Sequence, residues 1–164
     1  LDRRQSKRSA HLRHEGKDNM YFVDRQKIEQ QLTYLEKNIS TYSETVDWDG
    51  PIARLALERS AQIMLDCVLD VGNSMIDGFI MRDPGSYEDI VDILLDEKVI
   101  GKEMEGSLKA LLPLRKMIVQ NYLMIDHEMI QQLLTENLDA LREFPKAVRI
   151  YLEHQLGPVS AFRN

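Results

Sequence analysis

A single cysteine, Cys67, in 164 residues leaves no partner for an internal disulfide and fits a reducing, cytoplasmic setting. It sits among Ile63, Met64, Val68 and Val71, where a thiol reads as a small buried hydrophobe. Tryptophan occurs once, proline five times and glycine eight times, too sparsely for a Pro/Gly linker or a low-complexity block. No apolar run approaches the roughly 20 residues that a membrane-spanning helix needs, and no apolar segment of signal-peptide type follows the basic N-terminus. No Val/Ile/Thr alternation is long enough for a strand, and no tandem repeat occurs. Glycine-rich phosphate loops, H-E-x-x-H, C-x-x-C and the Gly-x-Ser-x-Gly elbow are all missing. Two of the four histidines, His11 and His14, lie near the N-terminus. His127 and His154 have no companion at ligand spacing and read as solvated, so no metal site and no cofactor are expected.

What is present is an ordinary globular balance, 43% hydrophobic and 29% charged, with a net charge of −6. The charge is uneven. Residues 1–19 carry six Lys and Arg against three Asp and Glu, a balance of +3, which leaves −9 for the rest. An acidic body argues against a broad basic face for nucleic acid but allows a local basic cleft. Residues 1–19 have almost no apolar content and no periodicity. They read as a leader or tag ahead of a natural start at Met20, with a basic RNA-contacting arm as the alternative. The domain is expected over 20–157, with a tail at 158–164.

Apolar periodicity predicts helices throughout. The first runs from Asp24, a capping residue, to about Ser43, with Ile28, Leu32, Leu35, Ile39 and Tyr42 inward. Trp48, between Asp47 and Asp49, anchors a loop. A long central helix follows from Pro51 to about Met81, with one stripe through Ile52, Leu55, Ala56, Arg59, Ile63, Val71 and Met75. A second apolar side runs through Leu57, Met64, Leu65, Leu69 and Ile76. Ser86 and Asp89 resemble a capping box before a short helix from Tyr87 to about Lys98. A fourth helix covers Lys102 to Asn121 with Pro113 inside it, where a bend is expected. A fifth begins after Asp126 and carries Ile130, Leu133, Leu134, Leu138, Leu141 and Phe144. Pro145 is expected to open the last. The expected fold is an all-α antiparallel bundle of four main helices with one or two short ones.

The fourth helix holds the anomaly. Its stripe of Leu108, Leu111, Leu112, Ile118, Val119 and Tyr122 is interrupted by Arg115. A guanidinium keeps its charge, and burying it costs several kcal/mol unless it is paired. Either Arg115 has an acidic partner, Asp66 or Asp70 on the central helix, or the stripe lines a cleft. Arg115 and Tyr122 would project about 20° apart on an ideal helix, whereas Gln120 would point roughly 140° away from Arg115. The three converge only if the helix ends before Tyr122 or if two copies meet.

Arg115-Lys116-Met117-Ile118-Val119-Gln120-Asn121-Tyr122 resembles the R-x4-H-x-Y motif of the HepT-like branch of the HEPN superfamily. The likeness extends to Ile52-Ala53-Arg54, to Glu58-Arg59-Ser60 and to Asp70 through Ile76 in the central helix. It also takes in Val99-Ile100 and the segment Leu138 to Phe144, covering Met20 to about Leu156. The opening Met20-Tyr21-Phe22-Val23-Asp24-Arg25 and the size fit a stand-alone, Bacillus-like bacterial member. The resemblance implies a homodimer whose motif residues face a shared cleft. It implies metal-independent RNA cleavage (tRNA among the substrates) by 2′-hydroxyl attack on the adjacent phosphate. It also implies pairing with a minimal nucleotidyltransferase antitoxin that adds AMP to the motif tyrosine. By position Arg115 stabilises phosphate charge and Tyr122 accepts AMP, with Lys116, Asn121 and Asp70 in support. The departure is Gln120 at the histidine position. An amide does not titrate, and general acid–base help is worth about 10²–10⁴-fold in rate. Cleavage is therefore expected to be weak or lost. The alternative is a non-catalytic homodimeric module that binds RNA, a nucleotide or the nucleotidyltransferase.

Overall fold

The apolar stripes of these helices have to be buried on something, and α2 is the element that most of the others bury against. The computed structural model describes residues 22–158. In them six α-helices occur and no strand: α1 Arg25–Glu44, α2 Pro51–Gly78, α3 Tyr87–Asp96, α4 Lys102–Val119, α5 His127–Glu136 and α6 Leu138–Leu156. A short 3₁₀ turn, Tyr122–Met124, separates α4 from α5. The expected leader (1–19) and most of the expected tail (159–164) lie outside the described residues.

The local signals act as their chemistry predicts. Asp24 accepts from the Lys27 amide at the head of α1, Ser86 from the Asp89 amide at the head of α3, and Asp126 from the Met129 amide at the head of α5. Asp89 completes a variant of the capping box, its carboxylate accepting from the Gly85 amide and from Arg82. Trp48 is buried and stacks on Tyr42 with ring centroids 5.7 Å apart, closing the α1–α2 link. Both α2 and α3 end in a Schellman turn. Met81 N–H donates to Ile76 O and Ile80 N–H to Asp77 O; Val99 and Lys98 repeat the pattern on Leu94 and Leu95. The left-handed position is filled by Ile80 (φ 55°) and Lys98 (φ 62°) rather than glycine. The first of these turns is why α2 stops at Gly78 rather than Met81.

α2 packs against α1, α3, α4 and α5, and α6 closes the bundle against α1 and α4. Arg149 on α6 holds Glu29 and Glu36 on α1, both at 2.7 Å. Gly72 sets the depth of the α2–α3 contact, since a Cβ there would lie 2.6 Å from Ile90 Cγ2. That close approach seats the first turn of α3, and with it Tyr87, beside α4.

Two expectations are corrected. The last break falls at Asn137, not at Pro145. The Asn137 side-chain amide and backbone N–H both donate to Leu133 O, which ends α5. Leu138, Leu141 and Phe144 therefore belong to α6, and Pro145 lies buried within it. The helix tolerates the lost backbone bond because Leu141, Phe144, Val148 and Leu152 are all fully or almost fully buried, each contributing about 1.5–3 kcal/mol. The start of α2 is also turned differently. Leu57, Ala61, Met64 and Leu65 face the core, whereas Ile52, Leu55, Ala56 and Arg59 are exposed.

Candidate functional site

Arg115 lies near the C-terminal end of α4 with about a quarter of its side chain exposed. Its Nε donates to Asp66 Oδ1 on α2 at 2.7 Å. Its guanidinium carbon lies 4.8 Å from the Tyr87 ring centroid, a cation–π contact from the first residue of α3. Three helices thus fix one guanidinium. The Asp66 hydrogen bond is the chief reason its pKa is raised, so it stays charged at any working pH. Among the described residues only Nε makes a hydrogen bond, which leaves the Nη groups to donate as a fork to phosphate. The partner anticipated for a buried cation therefore exists, and it is Asp66. Asp70 acts on Arg115 only through longer-range charge.

Beside this guanidinium is an open cleft of about 690 Å³ between α4, the start of α3 and the Pro84–Ser86 turn. Arg115, Lys116 and Gln120 all line it, with Tyr87 and Asn73 opposite. α4 ends at Val119, and Gln120 caps it with helical backbone, its N–H still donating to Lys116 O, so Gln120 meets Arg115 only as a second residue of the same cleft lining. Tyr122 does not join them. It sits in the 3₁₀ turn, 67% exposed, outside the lining of the cleft, as does Asn121. Asp70 lines a different cleft, between α1 and α2, where burial and then Asp66 raise its carboxyl above the usual range. Cys67 is buried, and burial, then Asp70 and Asp66, push its thiol up to about 11, so it is an inert hydrophobe.

Reading the sequence missed two things. Tyr87 looked only like a residue after a cap, and nothing in a linear pattern places it over Arg115. His127 was expected to be solvated. Instead its Nε2 lies 2.8 Å from Glu58 Oε2, both side chains 20% exposed, joining α5 to the first half of α2. His154 is exposed, as expected. No cluster of three metal-ligating side chains occurs among the described residues.

The pattern of the family described as ribonuclease HepT-like matches residues 28–148. The chain belongs to this HepT-like family. It is 50% identical over 144 residues to the Bacillus subtilis (strain 168) protein YutE, which is described as a candidate RNase, covering 88% of this chain and all of that one. The solved structure of YutE, called there a cytosolic protein of unknown function, superposes with a TM-score of 0.84 over 87% of this HepT-like chain and all of its own. A chain from a crystal structure of a toxin–antitoxin with AMP-PNP shares the fold at 13% identity, with a TM-score of 0.65 over 76% of this chain and 96% of that one. Among the described residues no helix is long and apolar enough to cross a membrane.

Proposed function

We propose that this HepT-like protein is an RNase-toxin-type RNA binder of the cytoplasm whose cleavage step is slow or lost. The observation that carries the reading is the Asp66–Arg115–Tyr87 clamp, which aims a fixed guanidinium at a cleft whose family histidine position is Gln120. Arg115 and Lys116 supply the charge that a phosphodiester needs. Gln120 can hydrogen-bond a 2′-hydroxyl but cannot take its proton, so attack of that oxygen on phosphorus lacks a base and departure of the 5′-oxygen lacks an acid. The same observation favours the second reading, a binding module without turnover.

Two copies are proposed to pair through the apolar surface formed by Ile52 and Leu55 with Val119, Tyr122, Leu123 and Met124. All six are exposed, Leu123 and Met124 by more than four fifths. The His127–Glu58 bond draws the start of α2 and the segment after α4 together. Exposed apolar side chains gathered in this way mark an interaction surface. The exposed Tyr122 hydroxyl is proposed as the AMP acceptor for a minimal nucleotidyltransferase antitoxin.

The test is tRNA cleavage by the native protein, Gln120→His and Arg115→Ala. Restored cleavage in Gln120→His, by about 10²–10⁴-fold over the native chain, supports a nuclease that has lost its base. Cleavage by neither, with tRNA binding lost in Arg115→Ala, supports the binding module. Native cleavage that survives Arg115→Ala would sink the reading. Mass spectrometry after incubation with a nucleotidyltransferase and ATP should find AMP on Tyr122. Light scattering should find a dimer that Leu123→Glu dissociates.

A further inference from the structure

A second cleft, of about 420 Å³, runs between α1 and α2. On α2 its wall is Arg59, Ile63, Asp66 and Asp70, spaced four, three and four, a single helical stripe. On α1 it is Lys27, Gln31 and Tyr34. Two features set this groove apart from ordinary surface. The Gln31 Oε1 is buried and finds no hydrogen-bond partner among the described residues. The two cations, Lys27 and Arg59, form no ion pair among the described residues. The ends of the groove also differ. Lys27 acts electrostatically on Asp70 at one end, and Arg59 stands at the other, about 16 Å away along α2.

We propose that this cleft binds a guanosine phosphate, with the base at the Asp70 end and the phosphate at Arg59. Guanine presents N1–H and the N2 amino group side by side, with the O6 acceptor next to them. The Asp70 carboxylate accepts from the first two, Lys27 donates to O6, and Gln31 Oε1 takes the remaining amino hydrogen. Ile63 and Tyr34 flank the ribose, and Arg59 pairs with the phosphate. Adenine presents an acceptor to Asp70 and a donor to Lys27, so the same groups reject it. The site goes beyond the nuclease reading and stands without it. The same chemistry is offered by free GMP and by a guanosine within an RNA strand.

Titration calorimetry of the full chain with GMP and with AMP, and fluorescence anisotropy with short oligoribonucleotides of one guanosine in adenosines or of adenosine alone, decide it. GMP should bind at least about tenfold tighter than AMP, and Asp70→Asn and Arg59→Ala should each weaken GMP about tenfold. Gln31→Met, which keeps the shape, should weaken it severalfold. Arg59 and Asp70 are exposed and Gln31 is half-buried, so the folding of all three variants is checked by far-UV dichroism. An oligonucleotide with guanosine that binds about tenfold tighter than GMP, and loses this in Asp70→Asn, makes RNA the source; equal binding makes it the free nucleotide. No GMP binding at about 1 mM together with no guanosine preference in RNA overturns the site. So does GMP binding that ignores both Asp70→Asn and Arg59→Ala. Because binding is read directly, a protein that cleaves nothing leaves this outcome untouched.

Discussion

The Asp66–Arg115 pair links α2 to α4 and fixes the guanidinium of the cleft, so removing it should cost both stability and RNA affinity. A 2.7 Å charge-assisted bond is worth about 1.5–3 kcal/mol when well buried, and exposed pairs about 0.2–1 kcal/mol. With side chains 23% and 28% exposed, the pair falls between, at about 1–2 kcal/mol. The single variants Asp66→Asn and Arg115→Gln should each lose about that much, because each leaves the other group without its partner. The double variant should lose less than the sum, with a coupling of about 1–2 kcal/mol in a double-mutant cycle. For a domain of this size that is a fall in Tm of roughly 3–8 °C for each single variant, followed by circular dichroism. Filter binding to tRNA should weaken in Asp66→Asn although no charge on the groups lining the Arg115 cleft has changed, since Arg115 is then held by Tyr87 alone. A coupling near zero, or an Asp66→Asn protein that melts and binds as the native one, would refute the clamp.

The Arg149–Glu36 contact has a sign that can be checked against pH. The hydrogen bond from Arg149, more than its charge or that of Lys146, holds the Glu36 carboxyl below its ordinary 4.5. A depressed carboxylate stabilises the fold above the unfolded value, and the gain is lost as pH falls through the lower folded value. The difference in urea midpoint between the native protein and Arg149→Met should be constant above about pH 5.5 and shrink below 4.5; a difference that grew with acid would contradict this. Ile80→Gly and Lys98→Gly should each stabilise by about 0.5–1 kcal/mol in denaturant melts, because each relieves a left-handed side chain at a Schellman turn, net of glycine's added freedom. Gly78→Ala should destabilise by about 1–3 kcal/mol, since its Cβ would meet Val23 Cγ2 at 2.7 Å and Val23 Cα at 3.2 Å; calorimetric Tm measures it.

Most of the fold was legible because helices are written locally. Ile28, Leu32, Leu35, Ile39 and Tyr42 repeat at helical spacing, and all five are buried on α1. Asp24, Ser86 and Asp126 announce helix starts through bonds within three residues of themselves. Where a local signal competed with packing, packing won. Pro145 looked like a start, yet the stripe from Leu141 to Leu152 carried α6 through it while Asn137 made the break. The amphipathic helix α2 had two apolar sides, and its sequence alone did not say which of Leu55 and Leu57 would face in.

For the site, the sequence determined the chemistry available: a charge at Arg115 that cannot be shed, an amide at Gln120 that cannot titrate, and acidic residues one helix away. It narrowed the partner of Arg115 to Asp66 or Asp70, four residues and about 40° apart on one helix face. Only the tertiary structure chose Asp66, laid Tyr87 on the guanidinium, sent Tyr122 out of the cleft, and turned His127 from solvent onto Glu58. The physical reason is that each of these depends on the relative rotation and depth of two helices. Contacts such as Gly72 against Ile90 set that depth, between residues far apart in the chain that carry no periodic signal of each other.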